Sequence, residues 1–354
     1  MRVLIAPDSF GNTLTAVQAA AAIAAGWQHA RPGDEVVAAP QSDGGPGFVD
    51  VLASRFGQVR TARVGGPLGA AVTATWLFDN RDPGRPVAYL ECAQAAGLHQ
   101  LGGEPTPRTA LSADTTGVGQ LLDAALAAGA ASIVVGLGGS ATTDGGRGLV
   151  DALGGSTEAV RRCRGVEIIA ASDVENPLLG PLGAAAVFGP QKGADPDTVG
   201  RLDQRLTEWN RVLTEMAGRD VSGDDGAGAA GGLGAALLAL GGRRVAGAAV
   251  VAAATGRDAD LAAADLLITG EGKFDSQTLR GKVVSALNAG AQAAGIPTIV
   301  VAGQVTLDAA EIAAAGIAAA YAIVDHAGSV ERAMSDAADQ LESMVALVAA
   351  DWER

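Results

Sequence analysis

A glycine-rich stretch, GLGGSATTDGG (Gly136–Gly146), has the residue types of an anion-binding loop. It follows the apolar run Ser132–Gly136 and precedes a helical pattern. Glycines in such a turn let backbone N–H groups approach an anion closely, and the start of the following helix adds a favourable dipole. Additional hydroxyl and carboxylate groups are supplied by Ser140, Thr142, Thr143 and Asp144. The stretch predicts a phosphate-binding loop, and a purely structural turn is the alternative.

A second polar segment, GEGKFDSQT (Gly270–Thr278), follows the predicted strand Asp265–Thr269. It brings together two carboxylates, a lysine, an amide and a hydroxyl, on Glu271, Lys273, Asp275, Gln277 and Thr278. This combination is poor core material, but it suits binding of Mg²⁺ and phosphate at the carboxyl edge of parallel strands. A solvated polar turn is the alternative.

Three more polar segments lie at predicted strand ends. The stretch VLIAPDSFGNTLTA turns at Asp8 and Ser9, and PQSDGGPGFVD turns at Asp43. The stretch SDVENPLLGPLGAAAVFGPQKGAD places Asp173 and Asn176 before a proline-containing turn. Any one of these segments is compatible with ordinary turn chemistry. Five of them in one chain favour a ligand-binding function.

Lysine is rare in this chain, because among 25 basic residues Lys192, Lys273 and Lys282 are the three lysines and the others are arginines. Lysine is a compact point charge often used on phosphate, whereas arginine is a planar fork. All three lie in or beside two of the polar segments, FGPQKGAD and GEGKFDSQT. We therefore predict that they contact phosphate, and codon bias is the alternative.

Short β-branched runs alternate with alanine-rich helical patterns, which predicts an α/β fold with mostly parallel strands. The predicted strands are Val3–Ala6, Glu35–Ala38, Ser132–Gly136, Glu167–Ala170, Asp265–Thr269, Thr298–Ala302 and Ala319–Val324. The first helix is predicted to begin after Thr15, because Thr15 and Gln18 fit a capping box. A long helix is predicted over Ser329–Asp351.

The segment Gln58–Leu90 differs from its surroundings, because its alternating pattern and its Gly-Pro and Asn-Arg-Asp-Pro-Gly turns indicate antiparallel hairpins. We interpret it as the beginning of a second domain inserted into the first. The predicted domains are residues 1–62 with 258–354, and residues 63–257, which carry the glycine-rich loop.

Composition narrows the class of protein. A net charge of −14 argues against nucleic-acid and anionic-membrane partners. The two cysteines and three scattered histidines provide neither a disulfide framework nor metal-ligand spacing. The chain starts in a predicted strand without a signal peptide, and its apolar runs are too short to span a bilayer. We therefore expect a cytoplasmic protein.

The run Gly136–Ala141 also fits the G-x-G-x-x-A fingerprint of dinucleotide binding, so an NAD-dependent oxidoreductase is one alternative. A second match at Gly226–Gly231 does not follow a strand, which indicates how easily a glycine-rich chain produces the pattern. The fingerprint also requires an acidic residue about 20 positions further on, at the end of a strand. Glu158 is near that position but lies in helical or loop sequence.

The polar segments resemble the bacterial glycerate kinase family, of the type unrelated to P-loop kinases. The matching stretches, in the family's order, are APDSF, SDGG, GLGGSATTDGG, DVENPLLGPLGAAAVFGPQKGA, GAGAAGGLG and GEGKFDSQTLRGK. They cover nearly the whole chain. The resemblance implies a Rossmann-like or flavodoxin-like parallel-sheet domain, discontinuous in sequence, with a second inserted α/β domain and a cleft between the two.

The resemblance also implies transfer of the γ-phosphoryl group from ATP to D-glycerate or a related hydroxy acid, with Mg²⁺, giving 2-phosphoglycerate in most members. It leaves a homodimer open. The expected chemistry is direct in-line transfer, in which an aspartate accepts the proton of the acceptor hydroxyl.

On this basis each candidate residue receives an expected role. The catalytic candidates are Asp8, Asp43, Asp173 and Lys192, and the substrate-binding candidates are Ser9, Gly44, Gly45, Asn176, Gln277 and Thr278. The nucleotide-binding candidates are Gly138, Gly139, Ser140, Thr142, Asp144, Gly145, Gly146, Lys273 and Lys282. The Mg²⁺ candidates are Asp173, Glu271 and Asp275.

The chain departs from the family pattern at three of its polar positions. Gly11 and Pro46 stand where the family usually has lysine and glutamate, and Thr143 stands where it usually has asparagine. Phosphoryl transfer relies on cations that offset developing charge, so a missing lysine can cost orders of magnitude in rate. We expect kinase activity to be retained, with glycerate or an altered acceptor, because the segments with the three lysines are intact. A non-catalytic ligand-binding protein is the alternative.

Overall fold

The computed structural model describes residues 1–280 and 283–352. The chain divides into two compact units, Met1–Ser42 with Val251–Arg354, and Asp43–Val250. The first of these boundaries precedes the predicted one after residue 62, because the helix at Phe48–Ala53 packs on strands of the second unit. The predicted boundary after residue 257 lies inside the first unit.

The strands and helices alternate along most of the chain. The strands are β1 (Arg2–Ile5), β2 (Glu35–Ala38), β3 (Gln58–Gly65), β4 (Ala71–Asp79), β5 (Val87–Glu91), β6 (Ser132–Gly136), β7 (Glu167–Ala171), β8 (Arg243–Val245), β9 (Leu266–Phe274), β10 (Thr298–Val305) and β11 (Ala319–Ala322). The helices are α1 (Ala16–Ala30), α2 (Phe48–Ala53), α3 (Ala93–Ala96), α4 (Pro107–Ser112), α5 (Thr116–Ala127), α6 (Arg147–Ala152), α7 (Ser156–Cys163), α8 (Ala184–Phe188), α9 (Pro196–Ala217), α10 (Ala229–Ala239), α11 (Gly247–Thr255), α12 (Arg257–Ala262), α13 (Val283–Ala293), α14 (Ala309–Ala314), α15 (Ile323–Ala327), α16 (Val330–Ser335) and α17 (Ala337–Asp351). Short 3₁₀ turns occupy Leu98–Leu101, Pro190–Lys192 and Thr278–Arg280.

The first unit contains a parallel sheet with strand order β11-β10-β9-β1-β2 among the described residues. Helices α1 and α17 pack together on this sheet over a core that includes Ile5, Trp27 and Leu341. Gly26 makes that contact possible, because a Cβ there would lie 2.2 Å from the carbonyl oxygen of Glu342. The direction in which successive strands are added to the sheet reverses between β1 and β9. β2 lies on the outer side of β1, whereas β10 lies on the outer side of β9.

The second unit contains a mixed sheet with strand order β3-β4-β5-β6-β7-β8 among the described residues. The pairs β3–β4 and β4–β5 are antiparallel, as predicted for the hairpin segment, and the pairs from β5 to β8 are parallel. Its core is aliphatic, with Leu90, Ile133, Val135 and Leu149 fully buried. The predicted α/β fold with mostly parallel strands is confirmed in both units.

The capping box predicted for the first helix is confirmed. The Thr15 hydroxyl accepts from the backbone N–H of Gln18 at 3.2 Å, and the Gln18 side chain accepts from the N–H of Thr15 at 2.9 Å. Two element boundaries differ from prediction. The predicted strand Ala319–Val324 ends at Ala322, where α15 begins, and the predicted helix Ser329–Asp351 is divided into α16 and α17 at Asp336.

No helix within the described part of the chain is long and apolar enough to cross a membrane.

A buried carboxylate at the end of β5 caps the N-terminus of helix α2. Gly47 precedes the helix and has no side chain to cap it, while Glu91 ends β5 and is 2% exposed. Its Oε2 atom accepts from the N–H groups of Gly47 at 3.1 Å and Val49 at 3.4 Å. Burial raises the pKa of Glu91 from its ordinary 4.5 to about 7, and the negative charge of Asp50 adds to the effect, whereas the backbone donors oppose it.

Replacing Glu91 by glutamine should increase stability at alkaline pH. A carboxyl group whose pKa is higher in the folded state binds more protons there, so stability falls as pH rises from 4.5 to about 7. Glutamine keeps an acceptor for the two N–H groups without the charge. We expect Glu91→Gln to raise the free energy of unfolding by about 3 kcal/mol at pH 8 and by less than about 1 kcal/mol at pH 5.

The measurement is urea denaturation at the two pH values, with Glu104→Gln as the control, since Glu104 is an exposed glutamate. An equal effect of Glu91→Gln at both pH values would contradict the assignment of the pH dependence to this carboxyl.

Candidate functional site

The glycine-rich loop of the second unit joins β6 to α6 and packs tightly on the turn that begins at Asp43. The N–H of Gly138 donates to the carbonyl of Gly44 at 3.0 Å, and a Cβ on Gly138 would lie 2.3 Å from the Cα of Gly45. Gly145 is held from the other side by Trp209, whose indole N–H donates to its carbonyl at 3.0 Å. The structure therefore brings the predicted phosphate loop and the predicted Asp43 turn together.

Lys192 shapes this loop from inside. Its side chain is 2% exposed, and Nζ donates to the Ser140 hydroxyl at 2.9 Å and to the Thr142 carbonyl at 2.6 Å. Burial lowers the pKa of Lys192 to about 8, an effect that the nearby Cys92 and Asp144 side chains oppose. The predicted catalytic lysine is thus bound to the loop that was predicted to hold the nucleotide.

Asp144 is half-buried, and hydrogen-bond donors surround its carboxylate. Its carboxylate accepts from the N–H and hydroxyl of Thr115 at 2.9 and 2.8 Å, from the Gly146 N–H at 3.1 Å and from the Gly148 N–H at 3.0 Å. Burial raises the pKa of this carboxyl, and the same hydrogen bonds lower it in opposition. Both oxygens are engaged by the protein, so the geometry indicates that Asp144 fixes the loop and the start of α6.

Two hydroxyl groups of the loop have no hydrogen-bond partner among the described residues. They are the Oγ1 atoms of Thr142 and Thr143, and both side chains are buried. Buried polar atoms in folded proteins normally have a partner, which is protein, water or ligand. These atoms are therefore candidate contacts for a ligand, although Thr143 was predicted from the sequence only as a hydroxyl of the loop, with no assigned role.

Asp43 and Asp173 are exposed carboxylates that lie close enough for their charges to interact. Asp43 accepts from the N–H of Gly45 at 2.9 Å, and Asp173, which follows β7, accepts from the N–H of Gly247 at 2.9 Å. Desolvation raises the pKa of Asp173, and the negative charge of Asp43 raises it further. Such a pair can bind a divalent cation or accept a proton from a substrate hydroxyl.

Two other residues of this unit form hydrogen bonds that hold the backbone around the site. Asn176, a predicted substrate ligand, donates its amide to the carbonyl of Leu182 at 2.9 Å and so closes its own turn. Glu91 was not among the predicted site residues, although it holds the backbone that follows Pro46. The signal that could have found it is a carboxylate directly after the apolar run VAYL, at the end of a strand.

In the first unit, the residues after β1 and the end of β9 line one cavity of about 430 Å³. Ser9, Glu271 and Lys273 all contribute to its wall. The Asp8 carboxylate accepts from the N–H of Ser9 at 2.7 Å, and the N–H of Asp8 donates to the carbonyl of Gly270 at 2.8 Å. Two predicted site residues, Ser9 and Lys273, therefore line the same cavity.

The segment predicted as a loop after Thr269 is partly strand. β9 continues to Phe274, because residues 271–274 pair with β10, with Gln304 opposite Lys273. The turn that follows is organised by Asp275, whose carboxylate lies 3.2 Å from the Lys273 ammonium and accepts from the N–H of Gln277 at 2.9 Å. That backbone hydrogen bond is the main cause that lowers the pKa of Asp275, and the Lys273 ion pair adds to it.

Thr278, predicted to bind substrate, is buried with its hydroxyl directed to this turn, and Gln277 is exposed. Lys282 lies outside the described residues. No group of three or more candidate metal ligands occurs within the described ranges 1–280 and 283–352. The Mg²⁺ candidates are distributed over both units, with Asp173 in the second and Glu271 and Asp275 in the first.

Comparison with known proteins assigns this arrangement to a family. The sequence model of the Glycerate kinase family matches residues 3–159 and 155–353 of the chain. A protein of Mycobacterium tuberculosis (strain CDC 1551 / Oshkosh), named only as an uncharacterized protein, is 59% identical over 99% of this chain and 91% of its own length. The Glycerate 2-kinase of Escherichia coli (strain K12) is 36% identical over 96% of this chain and 95% of its own length.

A solved structure, described as a "putative glycerate kinase 2 from Salmonella typhimurium LT2", superposes with a TM-score of 0.79 at 35% identity. The superposition covers 99% of this chain and 97% of that chain. The resemblance drawn from the sequence stretches is thereby confirmed, and the chain belongs to the glycerate kinase family.

Proposed function

We propose that this protein transfers the γ-phosphoryl group of ATP to the 2-hydroxyl of D-glycerate, giving 2-phosphoglycerate. The observation that carries the proposal is the family match over almost the whole chain, since it includes every polar strand end described above. The name of the Escherichia coli relative, Glycerate 2-kinase, supports the 2-position.

The glycine-rich loop is a proposed phosphate-binding element of the second unit. Its backbone N–H groups and the unpartnered hydroxyls of Thr142 and Thr143 supply neutral donors, and the buried Lys192 supplies a positive charge beneath them. Phosphoryl transfer needs little covalent help from the protein and depends on positioning and charge stabilisation. In this proposal Lys192 acts through the loop that it holds.

Asp43 and Asp173 are the residues proposed to bind the metal ion and to contact the acceptor. Mg²⁺ is commonly bound by one or two carboxylates together with substrate phosphates, so the exposed pair fits such an ion. Asp275 fits it less well, because its carboxylate is already paired with the Lys273 ammonium. One aspartate of the pair would hold the ion while the other accepts the proton of the glycerate hydroxyl.

Two of the three departures from the family pattern lie beside the proposed ligand contacts. Gly11 lines the cavity of the first unit, and Lys273 lines the same cavity with a side chain 56% exposed. We infer that Lys273 supplies a cation that the family usually has at the position of Gly11. Pro46 lies against Gly139, where a Cβ would be 2.6 Å from its ring, so an uncharged side chain stands beside the phosphate loop. A hydroxy acid other than glycerate is the second candidate acceptor, favoured by these two positions.

Purified protein with Mg²⁺ and ATP should release ADP only when D-glycerate is added. Product should be consumed directly by enolase, because enolase acts on 2-phosphoglycerate. A panel of L-glycerate, glycolate and tartronate tests the second candidate. If ADP is released with another hydroxy acid but not with D-glycerate, that acid is the acceptor. If no hydroxy acid gives ADP release, the proposal is overturned.

Lys192→Met should reduce kcat/KM for ATP by about 100-fold, the scale of losing one preorganised charge-stabilising donor. The variant leaves the Ser140 hydroxyl and the Thr142 carbonyl without their buried donor. Ser140→Ala removes one of the two contacts and should give a smaller loss. Steady-state kinetics with a thermal melt of each variant provide the measurement, and wild-type kcat/KM in a folded Lys192→Met protein would contradict the role.

A further inference from the structure

The cavity of the first unit lies where the strand order of the parallel sheet reverses. Its wall includes residues 9–13 after β1, residues 271–273 near the end of β9, and Gly303 and Gln304 near the end of β10. In open parallel sheets, ligands bind in the crevice outside the carboxyl ends of the strands at such a reversal. The volume of about 430 Å³ is within the range of small-molecule sites, roughly 300–1,000 Å³.

The two sides of the cavity differ in chemistry. One side is polar and charged, and it includes Ser9, Glu271 and Lys273. Another part of the wall is apolar and comes from α15 and α16, with Ile323, Val330, Ala333 and Met334. Val330 and Met334 are 48% and 59% exposed, so their apolar side chains are accessible to a ligand in the cavity.

Between these sides, part of the wall is formed by backbone alone. Gly272 packs against the turn after β1, since a Cβ there would lie 3.0 Å from the Gly11 nitrogen. Gly303 packs against Gly272, where a Cβ would lie 2.5 Å from the Gly272 carbonyl oxygen. Gly272 and Gly303 therefore allow the turn after β1 and the ends of β9 and β10 to pack closely, so backbone forms this part of the cavity wall.

We propose that this cavity binds the nucleoside part of ATP, with the adenine base against Met334 and Val330 and the phosphate chain directed to Lys273. This inference rests on the proposed kinase function and deepens it. The cavity is far larger than a three-carbon hydroxy acid requires, and it combines an apolar side with a cation, as a ligand with a planar base and an anionic tail requires. Methionine sulfur also makes favourable contacts with aromatic rings.

Calorimetric titration separates the base from the phosphates, because ATP carries both and inorganic tripolyphosphate carries phosphates alone. Met334→Glu should weaken ATP binding about tenfold and leave tripolyphosphate binding within twofold of wild type. Lys273→Met should weaken both ligands. Leu347→Glu is the matched control, since Leu347 is also 59% exposed, lies on the separate helix α17 and receives the same charge.

Unchanged ATP affinity in Met334→Glu would overturn the base site. An equal loss of ATP and tripolyphosphate affinity would also overturn it, because the new charge would then be acting on the phosphates. The titrations need no acceptor and no turnover. A protein that binds ATP as described but forms no ADP with any hydroxy acid would contradict the proposed function and leave the base site supported.

Discussion

Lys192 is buried with its ammonium group inside the glycine-rich loop, and the shape of that loop depends on this contact. Removing a charge from water is unfavourable, and two short hydrogen bonds to Ser140 and Thr142 offset part of that cost. Both acceptors belong to the loop itself, so the solvation of the lysine and the conformation of the loop are one interaction. A loop fixed in this way can keep buried hydroxyls, such as those of Thr142 and Thr143, without a partner among residues 1–280 and 283–352.

Two further charged groups of the second unit are used in the same manner. Asp144 and Glu91 are both withdrawn from solvent, and both accept hydrogen bonds from backbone N–H groups at the start of a short helix. Their pKa values are raised by burial, which is the cost of using ions as internal supports. Asp43 and Asp173 also accept from backbone N–H groups, but they remain exposed. The unit thus contains carboxylates that only hold backbone and carboxylates that a substrate can reach.

The sequence was informative where local rules decide structure. The helix start at Thr15 followed from a capping box within four residues, and the loop after β6 followed from its glycines. The sequence was less informative where contacts between residues far apart in the chain determine the structure. β9 continues through Lys273 because β10 pairs with it, and Lys192 contacts residues about fifty positions earlier in the chain. The role of Glu91 could not be predicted for the same reason, because its hydrogen-bond partners lie on another element.

The backbone at Gly11 adopts a φ of +56°, which ordinary side chains reach at a cost of about 1 kcal/mol or more. The described residues leave open space around the position where its Cβ would stand. A lysine there would meet no steric obstacle, yet it would have to adopt a strained backbone or shift the turn. The backbone conformation, and not a lack of space, is therefore what favours glycine over lysine at this position.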